Sequence, residues 1–227
     1  MPIVNVRDVK KVYRQGDVRV TALDGVSLSV EPGEFVALAG PSGSGKTTLL
    51  NLIGGIDDTD GGSVAVDGKD YGGMSGGDLA ELRLRRIGFV FQAYNLIPVL
   101  TAFENVEYIL RLQGVGKEER RERVRRILGE VGLSEMEDRR PAELSGGQQQ
   151  RVAVARAIVS DPAIVLADEP TANLDSKTGE NLLRLMERMN REKGVTFIFS
   201  THDPQVMGFA RRLIYVRDGK VAGEERK

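Results

Sequence analysis

The chain has 227 residues, 41% of them hydrophobic and 29% charged. That length suits one large domain, or one domain carrying a substantial insertion, with enough apolar residues for a core. The formal net charge of −1 excludes bulk electrostatic attraction to nucleic acid or anionic lipid, and the lack of cysteine excludes disulfides and thiolate metal sites.

Met1 to Lys10 has no apolar core of signal-peptide length, and no apolar stretch approaches the ~20 residues of a membrane span. Any membrane is therefore expected to be served from the water side, through another chain. Ile3, Val4 and Val6 begin a strand. Val18, Val20 and Ala22, then Val26, Leu28 and Val30, alternate with polar residues, as in an antiparallel sheet with one wet face. After a turn at Glu31-Pro32-Gly33-Glu34, Phe35 to Ala39 is apolar throughout, as in a parallel strand buried on both faces.

Gly40-Pro41-Ser42-Gly43-Ser44-Gly45-Lys46-Thr47 follows that strand, and Leu49 to Ile53 follows as a helix. This is the G-x-x-x-x-G-K-[ST] pattern in its strand–loop–helix context. Glycines let successive N–H groups turn inward on a phosphate, and the helix N-terminus adds its positive end. Lys46 supplies a full charge for β/γ-phosphates, and the Thr47 hydroxyl suits Mg²⁺.

Residues 54–77 read as turns around a short strand, Ser63 to Val66. Ser75 and Asp78 have the spacing of a capping box before a helix through Leu79, Leu82 and Leu84. Ile87 to Phe91 is a strand ending at Gln92, whose place at a junction suits a hinge that senses the metal or γ-phosphate. Thr101 to Gln113 and Lys117 to Val131 have helical periodicity, and the mixed charges of the second suit a solvated face. Leu144-Ser145-Gly146-Gly147-Gln148 is a second helix start with capping-box spacing. Its two glycines also suit a second anion site.

The α/β pattern resumes at Ala163 to Ala167, a buried strand ending in Asp168-Glu169-Pro170. Two carboxylates at the carboxyl edge of a parallel sheet stand where such folds bind ligands. Asp168 suits Mg²⁺, and Glu169 suits a base that polarises attacking water. Thr178 to Asn190 is an amphipathic helix, Val195 to Ser200 a strand and Pro204 to Ala210 a short helix. Leu213 to Val216 and Val221 close the sheet. His202, the one histidine, follows a core strand and suits a hydrogen bond to a γ-phosphate and the attacking water. Tyr13 is a candidate to stack on a base, although its residue type and place alone read as a core or surface aromatic.

Together these stretches resemble the ATP-binding subunits of ABC transporters over essentially the whole chain. Gly40–Thr47 is similar to Walker A, Gln92 to the Q-loop glutamine and Leu144–Gln148 with Gln149-Gln150-Arg151 to the signature motif. Ile164–Asp168 with Glu169 is similar to Walker B and its catalytic glutamate, Asn173-Leu174-Asp175 to the D-loop and His202 to the switch histidine. The resemblance implies an α/β P-loop NTPase core, with parallel central strands and an N-terminal antiparallel β subdomain, and an inserted helical subdomain. The core would hold residues 1–92 and 161–227, and the helical signature subdomain residues 93–160.

Glu169, His202 and Lys46 are the implied catalytic residues. Tyr13, Gly40, Pro41, Ser42, Gly43, Ser44, Gly45, Lys46, Thr47, Thr48, Gln92, Ser145, Gly146, Gly147, Gln148 and Asp175 are the implied ATP contacts. Thr47, Gln92 and Asp168 are the implied Mg²⁺ residues. Two copies would close head to tail on ATP and drive integral membrane permease subunits on a separate chain. Nucleic acid is not an expected partner. The expected place is cytoplasmic, peripheral on the membrane's inner face.

Within the family, Gly88–Gln92, Asn95–Pro98 and Thr101–Val106 resemble the group for lipoprotein release and macrolide-type export, although that group more often has glycine where Ala172 stands. The rival inside the family is a cell-division ATPase that drives a membrane partner without moving a substrate. A soluble ABC protein of DNA repair or translation would need a long coiled coil or a second ATPase unit. A non-hydrolysing scaffold conflicts with Lys46, Glu169 and His202.

Overall fold

The computed structural model describes residues 1–16 and 18–227. Two sheets organise it. The first contains β1 (Val4–Gln15), β2 (Val18–Val30), β4 (Gly61–Val66) and β5 (Lys69–Asp70), in the order β2-β1-β4-β5 and antiparallel throughout. The second contains β3 (Phe35–Ala39), β6 (Ile87–Val90), β7 (Ile164–Asp168), β8 (Thr196–Thr201), β9 (Arg212–Arg217) and β10 (Lys220–Arg226). Its order is β10-β9-β3-β8-β7-β6, parallel except for the antiparallel edge pair β9–β10. The expected mixed α/β fold is present.

The first sheet departs from simple alternation. β2 is one strand, and Leu23 rather than Ala22 is fully buried, while Val18 and Val20 are exposed. The pairing explains the change of phase. Lys10 faces Asp24 while Val9 faces Val26, and Val12 faces Thr21 while Lys11 faces Leu23. Gly25 and Ala22 are thus extra residues on β2, and each such bulge moves the following side chains to the other face.

Between the strands lie α1 (Lys46–Ile53), α2 (Gly76–Arg86), α3 (Ala102–Leu112), α4 (Lys117–Glu130), α5 (Gly146–Ile158), α6 (Ser176–Lys193) and α7 (Pro204–Phe209). A one-turn 3₁₀ helix, Pro141–Glu143, precedes α5. Helix α6 starts before Thr178, because the Asp175 carboxylate caps it by accepting from the Thr178 N–H at 3.0 Å.

The parallel sheet divides the interior. Phe35, Ala37, Val165, Ala167, Phe197 and Phe199 face one core with buried residues of α3, α4, α5 and α6. Val36, Leu38, Leu166 and Ile198 face the other, with Leu49, Leu50, Leu52 and Ile53 of α1 and the inner face of the antiparallel sheet. Alternate side chains of a strand point to opposite faces, so α1 and α5 lie on opposite sides of the sheet. The register also gathers strand ends. Ala39 pairs with Thr201 and Asp168 with Ser200, while Val90 pairs with Ala167. Gly40, Gln92, Glu169 and His202 therefore follow strands that finish along one carboxyl edge.

Candidate functional site at the carboxyl edge

The loop from Gly40 to Gly45 turns into α1 at Gly45, whose φ is 103°. A side chain there would be strained, and its Cβ would stand 2.6 Å from the Ala22 carbonyl oxygen, so both conformation and contact require glycine. Helix α1 starts with no side-chain cap and no acidic residue in its first turn. Its leading N–H groups and positive end are thus left for an outside acceptor.

Lys46 Nζ donates to the carbonyls of Gly40 and Pro41, both at 2.8 Å. It is buried, and burial lowers its pKa, while the carboxylates of Glu169 and Asp168 act in the opposite direction. The Ser44 hydroxyl is also buried and has no hydrogen-bond partner among the described residues. A desolvated ammonium, an orphaned hydroxyl and uncapped N–H groups around one loop fit a polyphosphate.

The Thr47 hydroxyl donates to Asp168 Oδ1 at 3.0 Å, joining the loop to the end of β7. Glu169 comes next, with a left-handed φ of 44° that is uncommon for a residue with a side chain. Its N–H donates to the Ser200 carbonyl at 2.9 Å. Its carboxylate accepts from the Thr201 hydroxyl at 3.2 Å and lies 2.6 Å from His202 Nδ1. The Glu169 side chain is 15% exposed and that of His202 64% exposed. The carboxylate is held on two sides at the bottom of the edge, with the imidazole at its mouth.

Gln92 is exposed, and among the described residues its side chain has no hydrogen-bond partner. Its carbonyl accepts from Asn173 Nδ2 at 2.9 Å, which ties it to the segment before α6. Gln150 of α5 makes a second tie, donating to the carbonyls of Pro170 at 2.8 Å and Phe91 at 3.4 Å. Thr201, Ser200, Asn173 and Gln150 support the expected residues; Asn173 and Gln150 lie in stretches with a sequence signal of their own, the D-loop-like and signature-like runs, while Thr201 and Ser200 belong to a buried strand and carry none.

Helix α5 begins with the expected capping box. The Ser145 hydroxyl accepts from the Gln148 N–H at 3.3 Å, and the Ser145 N–H donates to Gln148 Oε1 at 2.8 Å. A methyl group on Gly147 would collide with Thr178 of α6, and one on Gly146 would meet the Tyr94 hydroxyl at 2.9 Å. These glycines let α5 start close against its neighbours. Ser145 to Gln148 thus belong to the side of the sheet opposite α1. Asp175, expected at the nucleotide, caps α6.

Tyr13 is 41% exposed on β1. Its hydroxyl donates to Asp57 Oδ2 at 2.7 Å, and the Lys11 ammonium lies over its ring, 5.2 Å from the centroid. Burial and the hydrogen bond to Asp57 raise the Tyr13 pKa, while the Thr48 hydroxyl acts to lower it.

The sequence profile of the ABC transporter family matches residues 23–172. The chain belongs to that family. It is an ATPase cassette with the α/β P-loop fold. It is 48% identical over 226 residues to the macrolide export ATP-binding/permease protein MacB of Syntrophobacter fumaroxidans, covering 99% of the chain and 32% of MacB. It is 45% identical over 228 residues to the uncharacterized ABC transporter ATP-binding protein MJ0796 of Methanocaldococcus jannaschii, covering 99% of the chain and 97% of MJ0796. The chain thus spans about a third of MacB and nearly all of MJ0796. The solved dimeric post-hydrolysis structure of MJ0796, bound to ADP and Pi, superposes with a TM-score of 0.91 at 45% identity, covering 98% of both chains.

Proposed function

We propose that the chain hydrolyses ATP as the motor of an ABC transport system, working as a head-to-tail homodimer on separate integral membrane permease subunits. The observation that carries this reading is the Glu169 carboxylate, held by Thr201 and His202 beside the Thr47–Asp168 pair and Lys46. Lys46 and the N–H groups of the Gly40–Thr48 stretch hold the β- and γ-phosphates, and Tyr13 stacks on the adenine. Glu169 orients a water and takes its proton as the water oxygen bonds to the γ-phosphorus. The bond from that phosphorus to the bridging oxygen breaks, and ADP carries the released electron pair. Once Glu169 holds that proton it donates to His202 Nδ1, and the His202 Nε2–H donates to the γ-phosphate.

The donor set fits Mg²⁺. This ion usually takes one or two protein oxygens beside substrate phosphates and water. Thr47 and Asp168 offer such oxygens, and among the described residues no group of three or more His, Cys, Asp or Glu forms a closed cage. Gln92 would add its amide oxygen. The bound ion would neutralise charge on the phosphates.

Helices α1 and α5 pack on opposite faces of the sheet, which supports a second copy supplying Ser145 to Gln148. In that dimer Asp175 also faces the nucleotide across the interface. Residues 93–160 then move as the helical subdomain against the core, with Gln92 at the hinge. An open groove of about 520 Å³ between these parts, lined by Ile56, Phe89, Ile97 and Tyr108, supports docking of a permease segment at the cytoplasmic face of the membrane. Among the described residues no helix is long and apolar enough to cross a membrane. The likeness to MacB supports lipoprotein release or macrolide-type export as the task.

Glu169→Gln tests the reading. The variant is expected to bind ATP normally, to lose turnover by about 10²- to 10⁴-fold and to dimerise with ATP and Mg²⁺. Phosphate release and sedimentation measure these. A variant that turns over normally, or stays monomeric at saturating ATP, refutes the base or the closed dimer respectively.

A further inference from the structure

We propose that Asp57 is a positioning residue for nucleotide recognition: it anchors the Tyr13 hydroxyl and so holds the ring as a fixed platform for the base. The inference rests on the reading of Tyr13 as the base-stacking residue. Asp57 lies four residues past the end of α1, in an acidic turn clamped to β1 at several points. Its Oδ2 accepts from Tyr13 at 2.7 Å, and its Oδ1 accepts from Lys11 Nζ at 2.7 Å. Lys11 Nζ also donates to the Asp58 carbonyl at 2.7 Å, and Asp60 Oδ2 accepts from the Val12 N–H at 2.6 Å. The Asp60 N–H returns a bond to the Lys10 carbonyl at 2.9 Å.

This clamp holds the ring at two places. Lys11 and Tyr13 stand two residues apart on one strand and so share a face. The Lys11 ammonium occupies one face of the ring, and Asp57 holds its far end. The residue nevertheless stays 41% exposed, which leaves ring surface for a base. A tyrosine on an exposed strand otherwise samples several rotamers, and ordering it on binding costs affinity. A ring tied at its para oxygen has lost that freedom before the base arrives. Asp57 follows from α1, whose other end starts at the phosphate loop. The same element therefore sets both the phosphate site and, through Asp57, the orientation of the ring.

The test compares ATP with inorganic tripolyphosphate, by calorimetric titration with Mg²⁺, in four variants of the whole chain. Tyr13→Ala is expected to weaken ATP roughly tenfold or more, as for loss of a base–aromatic stack. Tyr13→Phe and Asp57→Ala are each expected to weaken ATP about threefold to tenfold, as for loss of one hydrogen bond. The double variant Tyr13→Phe/Asp57→Ala should be no weaker than the worse single one, because both remove the same contact. Tripolyphosphate affinity should not change in any of them.

If Tyr13→Ala weakens ATP but Asp57→Ala and Tyr13→Phe do not, Tyr13 stacks without an anchor and the proposal fails. Normal ATP binding by Tyr13→Ala removes the base-stacking reading, and the anchor with it. Additive losses in the double variant, or an equal loss for tripolyphosphate, assign Asp57 to the fold rather than to the base. Should Asp57→Ala not fold, Tyr13→Phe removes the same hydrogen bond and leaves the Lys11–Asp57 pair intact.

Discussion

Helices α1 and α5 differ in how their N-termini are satisfied. Gly45 leads into α1 with no side-chain cap, so its first N–H groups have only an outside ligand to meet. Helix α5 is closed by its own residues, through Ser145 and Gln148. Helix α2 is closed by the same spacing, Ser75 and Asp78, and sharpens the contrast. Its box ends in a carboxylate that accepts from the Ser75 hydroxyl at 2.6 Å and is held below its usual pKa by that contact. The box of α5 ends in a neutral amide, with no acidic residue in the first turn. One charge separates a helix start that repels an anion from one that can open to receive it. An open terminus suits the resident half of a phosphate site, and a neutral closed one suits the half that arrives.

Removing the charge at the open terminus has the largest expected effect. Lys46→Ala should weaken ATP binding by about 3 kcal/mol, on the order of a hundredfold. Unchanged affinity in a direct titration would mean that the loop is not the phosphate cradle. Gln148→Glu then gives α5 the character of α2. It should leave ATP binding to the monomer intact while weakening ATP-driven dimerisation on the order of tenfold or more, read by sedimentation. Normal dimerisation of this variant would show that α5 does not face phosphate. Ser75→Ala has the smallest effect: about 1 kcal/mol of stability in thermal unfolding, with ATP turnover unaltered. A drop in turnover there would break the distinction between the two boxes.

The sequence exposed whatever has a local period or spacing. Phe35–Ala39 and Ala163–Ala167 read as buried strands because both of their faces are covered, and the capping boxes of α2 and α5 follow from side chains three residues apart. The course of β2 was hidden, since nothing in the chain marks Ala22 as a bulge that moves burial to Leu23. The supports of the site were hidden for another reason. Thr201 reaches Glu169 across 32 residues, Asn173 reaches Gln92 across 81 and Tyr13 reaches Asp57 across 44. Such contacts depend on strand order and register, and no pattern within one segment announces them. The start of α6 lies inside the stretch that resembles the D-loop, where Asp175 spends its carboxylate on capping the helix, so no separate cap marks the boundary.

The bonds from Lys46 to the Gly40 and Pro41 carbonyls have a consequence for selectivity. Two of the ammonium's three donors are taken by its own loop, so an incoming anion must outcompete those acceptors to gain more than one bond from it. A single phosphate bound at the far end of the loop offers no such exchange and leaves the lysine tethered. A triphosphate long enough to reach the ammonium can release it. The tether is therefore expected to favour a long phosphate chain over a single phosphate, a preference that titration with ATP, ADP and inorganic phosphate measures.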